Sequence, residues 1–151
     1  MLDVSALRDI VASVVDPEIP VLTIEDLGVL RDVELDDGRV VVTITPTYSG
    51  CPAMRQITDD ITAVLAKAGA DDVTVRTVHK PAWSTDWMTE EGRQKLAEFG
   101  IAPPSEEGDV LCPQCAASAP RMIARFGSTA CKALMVCSSC GEPFDHFKVL
   151  K

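Results

Sequence analysis

Four cysteines in the last third of the chain form two C-x-x-C pairs, Cys112-Pro113-Gln114-Cys115 and Cys137-Ser138-Ser139-Cys140, with 21 residues between the pairs. Each pair can clamp one side of a tetrahedron, and together they come close to the two-knuckle pattern of zinc ribbons. The expectation is a structural zinc site made of Cys112, Cys115, Cys137 and Cys140. Rubredoxin-like iron is the alternative, because a tetrahedral set of sulfurs suits both metals. A closed four-cysteine site keeps no position open for a substrate, which argues for a structural role and against a catalytic metal.

Two further thiols stand apart. Cys51 lies in Ser49-Gly50-Cys51-Pro52, where Pro52 suits the first position of a helix. The dipole and free N–H groups of a helix N-terminus lower a thiol pKa, and Gly50 lets a partner backbone or a metal approach closely. A buried capping residue explains the position equally well. Cys131, within Phe126-Gly127-Ser128-Thr129-Ala130-Cys131-Lys132, reads as a small apolar core residue. Its functional reading is an alternate ligand or a cluster contact, with Lys132 beside it favouring the thiolate. Asp16, Glu18, Glu25 and Asp26 gather before the first expected strand and can face one mouth of a sheet, although such acids more often cap helices and turns.

Several chemistries are excluded. His79 and His146 are the only histidines and neither is near Cys51 in sequence, which argues against a Cys-His catalytic pair. There is no Gly-rich phosphate loop, no H-E-x-x-H and no G-x-S-x-G. No Glu is followed three residues later by His, so a di-iron carboxylate site is absent. No catalytic activity of the chain's own is expected. Trp83 and Trp87, four apart, read as a packing clamp or part of a protein interface.

The elements that must position these residues follow from periodicity. Leu2, Leu7, Ile10, Val11, Val14 and Val15 recur at helical steps until Asp16-Pro17-Glu18-Ile19-Pro20 breaks them. Val29–Leu35 and Arg39–Thr45 alternate as strands around an Asp36-Asp37-Gly38 turn. After Pro52 a second helix carries Met54, Ile57, Ile61, Val64, Leu65 and Ala68 on one face and stops at Gly69, and Val73–Val78 supplies a third strand. The order α-β-β-α-β predicts a three-stranded mixed sheet with both helices packed on it, the parallel pair joined by a right-handed crossover. Lys80–Trp87 is a loop, and Thr89–Phe99 resumes helical spacing through Met88, Leu96 and Phe99.

Pro103-Pro104-Ser105-Glu106-Glu107-Gly108 is the linker candidate, which puts a boundary near residue 105. Beyond it Met122–Phe126, Ala133–Val136 and Phe144–Val149 read as short strands. The fold class is therefore α+β: a small sheet-and-helix domain over residues 1–104, with a Trp-containing extension at 80–104, followed by a zinc-ribbon β domain over 105–151. A ribbon of roughly 45 residues cannot bury enough surface alone, so the metal contributes folding free energy.

The formal charge of −9 argues against nucleic acid as a partner, because binding phosphates needs clustered Lys and Arg. An acidic chain suits basic protein surfaces, or simply stays soluble. The first residues, Met1-Leu2-Asp3-Val4-Ser5, carry an acid early and lack the basic start of a secretory signal. No apolar run approaches the roughly eighteen residues of a membrane span. A cytoplasmic address with reduced thiols is the expectation.

Four stretches carry a resemblance over nearly the whole chain. Asp16-Pro17-Glu18-Ile19-Pro20 leading to Asp26-Leu27-Gly28, and Thr47-Tyr48-Ser49-Gly50-Cys51-Pro52-Ala53-Met54, are similar to the domain shared with iron–sulfur assembly factors such as SufT. Trp83-Ser84-Thr85-Asp86-Trp87-Met88, and Phe126 to Leu134 with the knuckles around it, resemble the PaaD (PaaJ) family of phenylacetyl-CoA epoxidase accessory subunits. The resemblance implies a helper in aerobic phenylacetate breakdown that assists maturation of iron–sulfur or other metal centres. Its implied partners are the epoxidase reductase and oxygenase subunits or the iron–sulfur assembly machinery. It makes Cys51 the candidate cluster-handling thiol, flanked by Asp16, Glu18 and Asp26, with a transient iron–sulfur cluster or iron as cargo. A stoichiometric structural subunit of the epoxidase complex is the rival reading, and an electron carrier with iron in the four-cysteine site a third. A homodimer is compatible with all three.

Overall fold

The computed structural model describes residues 3–48, 50–105 and 110–149 of the 151-residue chain. Leu2 of the first apolar stripe, Ser49 of the Cys51 motif, and Glu106, Glu107 and Gly108 of the expected linker lie outside the described residues. The chain divides into two compact units, Met1–Trp83 and Ser84–Lys151.

The first unit follows the expected order, with one addition. Helix α1 (Val4–Ala12) buries Leu7 and Val11. Val14 is buried as well, while Val15, beyond the helix end, is 42 % exposed. The addition is α2 (Ile24–Leu27), a single turn enclosed by a capping box between Thr23 and Asp26 and closed by Gly28 at φ 77. Strands β1 (Leu30–Asp36) and β2 (Arg39–Ile44) form an antiparallel hairpin. Its turn residues Asp37 and Gly38 both take positive φ, 49 and 84, as a tight hairpin turn requires. Helix α3 (Ala53–Lys67) then crosses back and β3 (Val73–Thr77) pairs parallel to β2. The sheet order β1-β2-β3 is the expected three-stranded mixed sheet.

The core of this unit is the meeting of periods. Ala53, Ile57, Ile61 and Leu65, each four apart on α3, are buried, as are the alternating Val40, Val42 and Ile44 of β2. Trp83 closes this unit, buried, with its indole N–H donating to the Leu27 carbonyl at 2.8 Å. Of the two tryptophans, Trp83 thus packs as an apolar body with a satisfied polar tip, whereas Trp87 is only partly buried.

The second unit begins with a 3-10 turn (Thr85–Trp87) and α4 (Glu90–Phe99), capped by the Thr89 hydroxyl. Leu96 and Met88 are buried, but Phe99, expected on the same apolar face, is 58 % exposed. It sits at the last helical position, just before Gly100 reverses the chain at φ 94. Strand β4 (Ile101–Ala102) pairs parallel with β7 (Pro143–Phe147), and β7 pairs antiparallel with β6 (Lys132–Val136), which pairs with β5 (Arg121–Ala124). The sheet order is β4-β7-β6-β5. The division at Trp83 and Ser84 therefore precedes the boundary read near residue 105, because α4 leads directly into a strand of the ribbon sheet. Among the described residues no helix is long and apolar enough to cross a membrane.

Candidate metal centre and thiol site

The ribbon knuckles repeat one backbone pattern twice. At the first, the Ala116 N–H donates to the Cys112 carbonyl at 2.8 Å and the Cys112 N–H to the Ala117 carbonyl at 2.9 Å. At the second, the Gly141 N–H donates to the Cys137 carbonyl at 3.0 Å and the Cys137 N–H to the Glu142 carbonyl at 2.9 Å. Both loops turn through a left-handed residue directly after the second cysteine, Ala116 at φ 62 and Gly141 at φ 77. Glycine takes that conformation without strain and alanine does not, so the first knuckle is held at a cost of about 1 kcal/mol or more.

This geometry points all four sulfurs inward, to within 4.8 Å of one another. The Cys112–Cys140 sulfurs are 3.8 Å apart and the Cys115–Cys137 sulfurs 3.5 Å. A metal–sulfur bond of about 2.3 Å makes the edge of an ideal tetrahedron about 3.8 Å, so the cage has the dimensions a divalent metal requires. Backbone N–H groups of Gln114, on Cys112, and of Ser139 and Cys140, on Cys137, donate to sulfur at 3.3–3.4 Å. The same bonds from Cys140 and Ser139 lower the Cys137 thiol to about 6. At Cys140 the Glu142 N–H pulls downward, but desolvation and the sulfurs of Cys137, Cys115 and Cys112 outweigh it and push the thiol up to about 12. Crowded sulfurs cannot all ionise without a cation between them, so metal binding must displace protons.

Cys131 is not among these four sulfurs. It is buried, 3.0 Å from the Thr129 hydroxyl. Lys148 is one charge that acts together with it: desolvation lowers the Lys148 ammonium and Cys131 draws it part of the way back. Lys148 reaches Cys131 through the sheet, its backbone N–H donating to the Cys131 carbonyl at 2.9 Å.

At Cys51 burial, one of the two readings open from sequence, outweighs the helix end. The thiol stands two residues before α3, half-buried, and its pKa is raised and not lowered. Burial is the main cause. The Ala53 N–H and the Tyr48 hydroxyl pull downward, while the charges of Glu18 and Asp16 push up. Desolvation plus two carboxylates thus outweighs a helix end, a case where burial and not the nearest motif decides. Asp16 and Glu18 lie near enough for their charges to act on Cys51, and Tyr48 joins them without having been singled out as a site residue. Its place in the same loop, three residues before the thiol, was the available signal. Asp16 also shapes the loop, since its Oδ1 accepts from the N–H groups of Glu18 at 2.7 Å and Ile19 at 3.1 Å. Asp26 is engaged in the capping box, its carboxylate accepting from the Thr23 N–H at 3.1 Å. Glu25 pairs at 4.0 Å with Arg8 on an exposed face.

Two family models match the chain. One, described as an iron–sulfur cluster assembly protein, covers residues 5–77, and the other, the PaaD zinc beta ribbon domain, covers residues 100–148. An Escherichia coli K12 protein, named as a candidate subunit of 1,2-phenylacetyl-CoA epoxidase, is 45% identical, the match spanning 93% of this chain and 90% of that one. The iron–sulfur protein maturation auxiliary factor SufT of Staphylococcus aureus is 38% identical over 78 residues, 50% of this chain and 88% of its own. A crystal structure of domain of unknown function DUF59 from Bacillus anthracis covers 62% of this chain and 90% of its own at 31% identity, with a TM-score of 0.57.

Proposed function

Since the chain belongs to the PaaD family, whose Escherichia coli relative is named as a subunit of 1,2-phenylacetyl-CoA epoxidase, we propose that it is a non-enzymatic maturation factor for the metal centres of that system. The observation that carries this reading is the half-buried Cys51 thiol, set in the field of Glu18 and Asp16, within the unit matched by the iron–sulfur cluster assembly model. Cys51 alone offers one soft donor, so it can hold an iron species only loosely and only while the donor or the recipient supplies the remaining ligands. Loading is a ligand exchange: a sulfur–iron bond forms to Cys51 as the iron's bond to one thiolate of the donor breaks, and the Cys51 S–H proton passes to that departing thiolate. Delivery breaks that bond as a ligand group of the recipient replaces it and gives its proton back to the Cys51 sulfur, with no net oxidation or reduction.

In this reading the ribbon holds structural zinc through Cys112, Cys115, Cys137 and Cys140, which supplies folding free energy and takes no part in the exchange. The recipients are the reductase and oxygenase subunits of the epoxidase, and six cysteines without a disulfide between them suit a reducing cytoplasm. The test is complementation. In cells lacking this chain, wild type restores epoxidase activity and Cys51→Ser does not, although both accumulate equally. Full restoration by Cys51→Ser would refute the proposal. The full-length relative's name favours a second reading, a stoichiometric subunit of the complex, which predicts co-purification in fixed ratio with the oxygenase subunits.

A further inference from the structure

The chain's charge is unevenly distributed. Residues 1–109 hold nine Lys and Arg against twenty-one acids, whereas residues 110–151 hold five against two. Three of these basic residues, Arg121, Arg125 and Lys148, lie beside highly exposed apolar side chains. Met122 and Ile123 of β5 are 45 % and 51 % exposed, and Phe126, just beyond it, is 63 % exposed. Arg121 and Arg125 flank them, both exposed. Lys148 stacks on the Phe126 ring at 4.2 Å and donates to the Arg125 carbonyl at 3.0 Å, which holds the phenyl ring outward and in place.

The surface has depth as well. Met122 also lines a cavity of about 180 Å³ with Val110, Met135, His146 and Val149. His146 is 7 % exposed and its buried Nε2 has no hydrogen-bond partner among the described residues. Strand β5 lies at the end of its sheet and its pairing with β6 is interrupted between Met122 and Ala124. Charges and a bulge commonly blunt such an edge against aggregation. Protection alone does not explain three large apolar side chains left in water beside an open cavity with an unsatisfied imidazole.

We propose that the β5 edge of the ribbon docks an acidic, apolar segment of the recipient epoxidase subunit: apolar side chains on Met122 and Phe126 and into the cavity, carboxylates against Arg121, Arg125 and Lys148. The proposal rests on the reading that the chain delivers to a recipient, and names where it holds that recipient. Opposite charge steers the encounter and the apolar centre holds it, so the complex weakens as salt screens the rim.

Site-specific photo-crosslinking of the full-length, metal-loaded chain to the purified reductase and oxygenase subunits tests it. With p-benzoylphenylalanine in place of Phe126, illumination yields an adduct with one of the subunits. The same group in place of the exposed Leu35 of β1 yields none. Arg121→Glu with Arg125→Glu lowers the Phe126 adduct by roughly tenfold while leaving metal content unchanged, as expected when two steering charges are reversed. An equal yield from the Leu35 position, an adduct that survives charge reversal, or no adduct with either subunit would overturn the docking site. Cys51→Ser separates this from the maturation reading. If it crosslinks normally but fails to restore activity, both stand. If it restores activity, only docking survives, and if Cys51 is required yet no adduct forms, only maturation does.

Discussion

At the scale of single residues, Cys51 shows how a local motif can mislead. Helix N-termini favour thiolates, and Gly50-Cys51-Pro52 stands at one, but the carboxylates that help reverse the effect lie more than thirty positions earlier in the chain. A sequence shows which residues flank a thiol in the chain. It does not show how much water reaches the sulfur, and burial is the larger influence here. The pH behaviour follows with a definite sign. A raised thiol pKa keeps Cys51 protonated at neutral pH, so its alkylation by iodoacetamide in the native chain is slower than that of a free model thiol. The rate climbs only as the pH passes the ordinary thiol range. Glu18→Gln removes one of the two carboxylates and shifts that climb to lower pH; an unchanged profile would mean the carboxylate does not act on the sulfur. Asp16→Ala is instead expected to destabilise the first unit by about 1–2 kcal/mol, because it leaves the Glu18 and Ile19 N–H groups without their acceptor.

At the scale of elements, strongly periodic segments were legible and those shaped by local hydrogen bonds or distant pairing were not. The hairpin, the buried stripe of α3 and the third strand appear where alternation and four-residue spacing put them. The single turn α2 is too short for a period, although Thr23 and Asp26 carry the capping signal. Strand β4 has only two residues and exists because β7 offers it an edge, which no window of residues 95–105 can reveal. The knuckles were readable from C-x-x-C spacing, yet their asymmetry was not: Ala116 takes the conformation that Gly141 takes freely. Ala116→Gly is expected to stabilise the ribbon by up to about 1 kcal/mol, measured as a raised Tm, since it removes that strain. Gly127→Ala should do the opposite. An added Cβ there would stand 2.8 Å from the Asp145 side chain and 3.4 Å from the Lys132 carbonyl, crowding the turn that joins β5 to β6. Because the Asp145 carboxylate can swing aside, the loss is expected to stay near the lower end of overpacking costs, about 1 kcal/mol.

At the scale of the whole molecule, two units are held together internally by different means. The first packs α1 and α3 on a three-stranded sheet around a continuous apolar core. The second gathers a small cluster around Ala133, Met135 and Phe144, with Cys112 and Cys137 themselves part of it, so its core and its metal cage share residues. Stripping the metal with a chelator should therefore unfold the ribbon sheet while the first sheet persists. Hydrogen exchange would show protection lost in β5, β6 and β7 and kept in β2 and α3. Lowering the pH should release the metal in the same way, because protons compete for the four sulfurs. The central claim, that the chain matures a metal centre through Cys51, is tested most directly by measuring the iron and acid-labile sulfide of the epoxidase reductase, purified from cells carrying the wild-type chain, Cys51→Ser, or no chain. Maturation through Cys51 predicts full cluster content with wild type and an equally large loss in the other two, whereas the same iron and sulfide content in all three would contradict it.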